Sequence, residues 1–128
     1  MNYYADGSST IGVKSAHCVT DENGVILIFK ETFASSLMNV REFTNNEEEY
    51  RGVIAALKLA SRGDTVYTDS QLVYHQIRGD WKINKVHLIP FCREASELRH
   101  NKGVEVAWIG REYNLAGLVF DAMKRKRK

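Results

Sequence analysis

Tyr3-Tyr4-Ala5-Asp6-Gly7-Ser8-Ser9 is an apolar, aromatic-rich run with a carboxylate in its middle and small residues after it. A strand alternates its side chains between two faces, so an acid set among apolar neighbours must be hydrogen-bonded, exposed or facing a cation. Asp6 is therefore expected to draw other carboxylates to it. Glu49 follows the polar signal Thr44-Asn45-Asn46, and Asp69 closes the run Thr65-Val66-Tyr67-Thr68. Three acids from three separate elements predict a divalent-metal site.

Working outward from Asp6, Ser15 to Thr20 and Val25 to Phe33 flank Asp21-Glu22-Asn23-Gly24, whose Asn-Gly pair is a hairpin turn signal. Three antiparallel strands are expected to open the chain. Residues 35–43 read as a surface connection. Thr44 with Glu47 matches a capping box, and Tyr50, Val53, Ile54 and Leu57 form an apolar stripe at helical spacing, ended by Arg62-Gly63-Asp64. A helix followed by a β-branched run predicts a parallel crossover, which puts Asp69 at a strand's carboxyl end, where ligand sites of open α/β sheets gather.

Ser70 to Arg78 reads as a short helix and Trp81 to Val86 as a polar, partly basic connection. Pro90, with Leu88, Phe91, Cys92, Ala95 and Leu98, starts an amphipathic helix that Lys102-Gly103 stops. Val104 to Ile109 is the last strand, with Trp108 expected in the core. A final helix from about Asn114 to Met123 is expected to bury Leu115, Leu118, Val119 and Ala122. The predicted order is βββαβααβα, with no internal repeat.

The 128 residues fit one domain, expected over 1–123 with a basic tail over 124–128. Hydrophobic content of 44% and charged content of 27% are ordinary for a globular chain, and no apolar run approaches 18 residues. A soluble, cytoplasmic monomer without membrane partners is the expectation. The net charge of +2 misleads, because without the tail the 18 basic residues fall to 13 against 16 acidic, a net of −3. Any nucleic-acid contact must then come from a local groove together with the tail, whose phosphate contacts would be salt-sensitive. Cys18 and Cys92 lack zinc-site spacing and read as buried thiols, while His17, His75, His87 and His100 read as structural or exposed.

Tyr4-Ala5-Asp6-Gly7-Ser8, Thr44-Asn45-Asn46-Glu47-Glu48-Glu49-Tyr50 and Thr68-Asp69-Ser70-Gln71-Leu72-Val73 resemble, in order and interval, the three principal motifs of type 1 ribonuclease H. The resemblance spans nearly the whole chain, including the Arg111-Glu112-Tyr113-Asn114 turn. It implies a ribonuclease H-like α/β fold, a mixed five-stranded sheet with helices on both faces, in the compact form without a long basic helix. It also implies hydrolysis of the RNA strand of RNA–DNA hybrids by two Mg²⁺ ions, Mn²⁺ substituting, held by Asp6, Glu49 and Asp69.

Of the three consecutive acids, the motif selects Glu49, leaving Glu47 to the helix cap and Glu48 as a solvated charge beside Arg51. Substrate contacts implied by the family fall on Gly7, Ser8, Thr44, Asn45, Asn46 and Gln71: Asn45, Asn46 and Gln71 along the minor groove, because RNA is told from DNA by its 2′-hydroxyls, and Thr44 at a phosphate of the DNA strand. Thr44, Asn45 and Asn46 could instead merely cap a helix and Gln71 merely start one. Lys82 and Lys85 are weaker candidates for phosphate contacts, and Trp81 is expected either there or packed under its loop.

One departure stands out. Where the family carries a fourth carboxylate this chain has Leu118, so the tentative fourth ligand is Asp121, which shares a helix face with Asn114 and Gly117. Glu112 and no ligand at all are the alternatives. Two rival functions remain open at this stage: a non-catalytic hybrid-binding module with an incomplete metal site, and a DNA-acting nuclease of the same fold.

Overall fold

In a computed structural model, which describes residues 1–10, 14–33 and 45–126, the opening stretch is β1 (Asn2–Thr10), the central strand of a five-stranded sheet. β2 (Lys14–Asp21) and β3 (Ile26–Phe33) extend it antiparallel, with Asp6 opposite Cys18. Asp21 closes the β2–β3 turn itself, its carboxylate accepting from Asn23 and Val25 backbone N–H groups at 2.8 and 3.0 Å. On β1's other side β4 (Thr65–Thr68) and β5 (Glu105–Trp108) run parallel, giving the order β3-β2-β1-β4-β5. The helices are α1 (Asn45–Leu59), α2 (Gln71–Arg78), α3 (Ile89–Lys102) and α4 (Leu115–Lys126).

Alternation along β1 divides the molecule into two layers. Tyr3 and Ala5 face the main core, where Tyr50, Val53 and Leu57 of α1 meet Val66, Val73, Leu88 and Ala95. Full burial of such side chains contributes about 1.5–3 kcal/mol each, which is why the α1 stripe fixes this helix on the sheet. Tyr4 and Cys18 face the opposite way, towards α4, where Ala16, Ala116 and Phe120 complete a smaller core and Phe29 packs on Phe120 at 5.5 Å. Helices thus cover both faces, as the motifs implied. Among the described residues no helix is long and apolar enough to cross a membrane.

Several local expectations fail for identifiable reasons. Leu118 is 44% exposed, not part of the buried stripe, because α4 turns Ala116 and Phe120 to the sheet instead. α4 also continues to Lys126, so the basic tail begins inside the helix. Trp108 is 43% exposed at the end of an edge strand, its indole N–H donating to the Asp69 carbonyl at 3.1 Å. Trp81 is also exposed and stacks on His75 at 4.3 Å. Thr44 and the connection over 35–43 lie outside the described residues.

Candidate active site

Asp6 and α1 meet because two glycines let backbone approach backbone. A Cβ on Gly7 would lie 2.2 Å from the Glu48 carbonyl carbon, and one on Gly52 would lie 2.9 Å from the Asp6 carbonyl oxygen. Any larger residue would push α1 off β1. At this closest approach the Gly7 N–H donates to Glu49 Oε1 at 2.9 Å, which aims the Glu49 carboxylate at Asp6. Asp69 arrives from the carboxyl end of β4, beside β1 in the parallel pair. One ligand-capable atom from each of Asp6, Glu49 and Asp69 lies within 4.8 Å of the others.

The electrostatics of this group are unbalanced. Asp6 is 1% exposed and Glu49 9%. Burial, with Asp69 beside it, raises the Asp6 pKa against the lowering bonds from Glu49 and Arg111, while burial, Asp6 and Asp69 together raise Glu49 well above the ordinary carboxylate range. The buried Asp6 Oδ1 accepts from no fixed donor. A buried acceptor without a donor, in a cluster of carboxylates, is the environment that a hard cation completes, since Mg²⁺ takes a few carboxylate oxygens and fills its other positions with water or phosphate. The residues therefore fit a divalent ion.

Two further residues, both from the segment after β5, enter the site. Asn114 is fully buried, its amide donating to the Ala5 carbonyl at 3.0 Å and to Asp69 Oδ2 at 2.9 Å, so it ties β1 beside Asp6 to the acid at the end of β4. Arg111 Nη1 donates to Asp6 Oδ2 at 2.7 Å and Asp69 Oδ2 at 3.0 Å, while Nη2 reaches Asp121 Oδ1 at 3.3 Å. Sequence reasoning noted this turn only as a resemblance and missed Arg111 as a member of the site. Asp121 is thus tied to the cluster through Arg111 and is not one of its three close acids. Glu112 is exposed on the turn beside Gly110.

The other candidates surround this centre. Asn45 begins α1 and accepts from the Ser9 N–H at 2.7 Å, leaving its amide hydrogens to donate; Asn46 and Ser8 are half-buried nearby in sequence. Gln71 is exposed at the first turn of α2, which Ser70 caps through the Val73 N–H at 3.1 Å. Lys82 and Lys85 are exposed, and with Trp81, Asn84, Gln76 and Leu88 they line a groove of about 460 Å³. Glu48, expected to be solvated, is 3% exposed and paired with both His17 and Arg51, while Glu47 pairs with His87 at 2.8 Å. His17 of β2 closes over Glu48 and His87, just before α3, over Glu47, so neither acid is left in water.

The RNase H family model matches residues 1–110. The chain belongs to the RNase H family. Its fold is that of type 1 RNase H: the solved enzyme of Halobacterium salinarum superposes with a TM-score of 0.68 at 23% identity, covering 97% of each chain. The N-terminal RNase H domain of a Mycobacterium tuberculosis protein, solved as a fusion with maltose-binding protein, gives 0.66 at 26% identity over 99% of this chain and 97% of that one. A third, LC11-RNase H1 in complex with an RNA/DNA hybrid, gives 0.61 at 23% identity over 88% and 87%.

Among curated relatives, a bifunctional protein of Mycobacterium tuberculosis is 34% identical over 86 residues, or 63% of this chain and 24% of the relative. An uncharacterized Mycobacterium bovis protein matches equally. The chain spans about a quarter of the length of these relatives. The RNase H family match ends at Gly110, immediately before the segment that supplies Arg111, Asn114 and Asp121.

Proposed function

We propose that this chain is a metal-dependent endoribonuclease that hydrolyses the RNA strand of RNA–DNA hybrids. The observation that carries the reading is the cluster of Asp6, Glu49 and Asp69, in which the buried Asp6 Oδ1 has no donor. Membership of the RNase H family supports the reaction class, and the hybrid bound by LC11-RNase H1 supports the substrate class. In this reading Asp6, Glu49 and Asp69 hold Mg²⁺, with Mn²⁺ able to replace it. Bound there as a pair, such ions supply an activated water and neutralise the leaving oxygen of an in-line phosphodiester displacement.

The chain's own residues then do the positioning. The Gly7 N–H holds Glu49 in place, and Asn114 holds Asp69. Asn45, Asn46 and Gln71 present amides for the minor groove, where the 2′-hydroxyl marks RNA, and Gly7, Ser8 and Thr44 are the further substrate contacts that the family pattern implies. Lys82, Lys85 and the basic residues 124–128 contribute phosphate contacts that fall away with salt. Asp121 serves as an outer carboxylate acting through Arg111. The reading takes the chain as a cytoplasmic monomer.

With Mg²⁺ or Mn²⁺ the protein should cut a labelled hybrid to products with 5′-phosphate and 3′-hydroxyl ends while sparing duplex DNA and single-stranded RNA. Equal cutting of all three would refute the substrate assignment. One observation favours a second reading, a hybrid-binding module without turnover: a guanidinium already sits among the acids and Asp121 stands outside them. Salt-dependent hybrid binding with no cleavage under either metal would establish it.

A further inference from the structure

The Arg111 guanidinium lies where positive charge is most strongly demanded. Its Nη1 spans Asp6 Oδ2 and Asp69 Oδ2, and its Nη2 is held by Asp121. The flat face of the group rests on α4 at Gly117, where a Cβ would lie 2.9 Å from Nη1, 3.0 Å from Cζ and 3.3 Å from Nε. Gly117, in the first turn of α4, leaves open the space that this seat occupies. The side chain is nonetheless 47% exposed, so water can receive it if it leaves.

Charge arithmetic sharpens the point. With Asp6, Glu49 and Asp69 all ionised, the form that binds metal, three carboxylates and one guanidinium leave a formal −2, which one divalent ion neutralises. An ion approaching Asp6 Oδ1 and Glu49 meets one oxygen without a fixed donor and one bonded only to the neutral Gly7 N–H, whereas one approaching Asp6 Oδ2 and Asp69 Oδ2 meets a cation already bonded there at 2.7 and 3.0 Å. Like charges at such distances repel strongly in a site of this burial. The two sides of Asp6 are therefore unequal.

We propose that Arg111, seated on Gly117 and anchored by Asp121, is a resident cation that occupies one side of the acid cluster, so that divalent metal enters in competition with it. This rests on the metal-site reading above and concerns how much metal the site requires. It also explains how the metal-free chain tolerates three clustered acids: an uncompensated buried charge is strongly destabilising, and Arg111 relieves the part that Asp6 and Asp69 share.

The test is Mn²⁺ binding to the whole chain, followed by calorimetry and by the loss of the free-ion electron paramagnetic resonance signal. Arg111→Gln should tighten Mn²⁺ binding at least about fivefold, the lower end of ordinary coupling between two ligands. Gly117→Ala should act in the same direction while keeping the charge, because its Cβ displaces only the end of a flexible side chain; it carries the test if Arg111→Gln does not fold without metal. Arg111→Lys should stay nearer to wild type than Arg111→Gln does. Unchanged or weaker Mn²⁺ binding in both Arg111→Gln and Gly117→Ala overturns the proposal. If Asp6→Asn leaves wild-type Mn²⁺ binding unaltered, the metal-site reading itself fails, and this inference with it; binding that depends on Asp6 yet ignores Arg111 and Gly117 defeats the inference alone.

Discussion

Glu48 and Glu49 are neighbours on the first turns of α1, almost equally hidden from water, and they have opposite electrostatic fates. Burial alone would raise the Glu48 pKa, but the bonds from His17 and Arg51 outweigh it and leave the group below its ordinary value. Glu49 has no such cation; burial and the facing Asp6 push it well above the ordinary range, and one backbone N–H is too little to reverse that. A compensated buried acid serves the fold. An uncompensated one costs stability, and it makes sense only if something absent from the metal-free chain returns that stability.

The contrast can be broken most severely at Glu49. Glu49→Gln should lower hybrid cleavage about a thousandfold or more, a barrier increase of about 4 kcal/mol, because it removes charge from a ligand without changing its size. The same variant should leave the metal-free fold as stable as wild type or more so, since Gln mimics the protonated form that burial favours. Glu48→Gln should do the reverse. Loss of its charged hydrogen bonds to His17 and Arg51 should reduce stability by about 1–3 kcal/mol in urea denaturation, with cleavage by the folded fraction staying within a few-fold of wild type. Matching losses of stability in the two variants would erase the distinction.

A smaller effect concerns pH. The folded chain keeps protons on Asp6 and Glu49 that the unfolded chain loses near its ordinary values of 3.8 and 4.5, so metal-free stability should fall as pH rises from those values through the raised ones. Glu48 works in the opposite sense: its contribution is present above 4.5 and is lost as pH falls through its lowered value. Urea midpoints measured across this range should therefore pass through a maximum in mild acid. Glu49→Gln should flatten the decline on the alkaline side, and saturating Mn²⁺ should do the same for wild type.

These contrasts also mark what could be read from the chain before its structure was known. Asp6, Glu49 and Asp69 were legible because each belongs to a motif whose local pattern also dictates its element: a strand centre, a helix start, a strand end. The stripe of Tyr50, Val53, Ile54 and Leu57 was legible because only one helical face was apolar. In α4 two apolar stripes overlap, one through Leu115 and Leu118 and one through Ala116 and Phe120, and periodicity cannot rank them. The second is the one that packs on the sheet, where Phe120 meets Phe29.

Glu48 and Trp108 were misread for a related reason. An acid in a helix's first turns is usually solvated and a tryptophan in an alternating strand is usually core, but Gly7 and Gly52 draw α1 onto β1, and β5 is a sheet edge. Arg111 left the weakest trace of all. It lies in a turn with no periodicity, and its long side chain crosses to partners 105 and 42 residues away in sequence.

The most direct test of the central claim, that Asp6, Glu49 and Asp69 hold the ions that cut a hybrid, is single-turnover cleavage of an end-labelled RNA–DNA hybrid by wild type and Asp6→Asn, with Mn²⁺ and with chelator. Wild type should cut the RNA strand only when metal is present, and Asp6→Asn, still folded by circular dichroism, should not cut under either condition. Metal-independent cleavage by wild type, or cleavage by folded Asp6→Asn at the wild-type rate, would contradict the account.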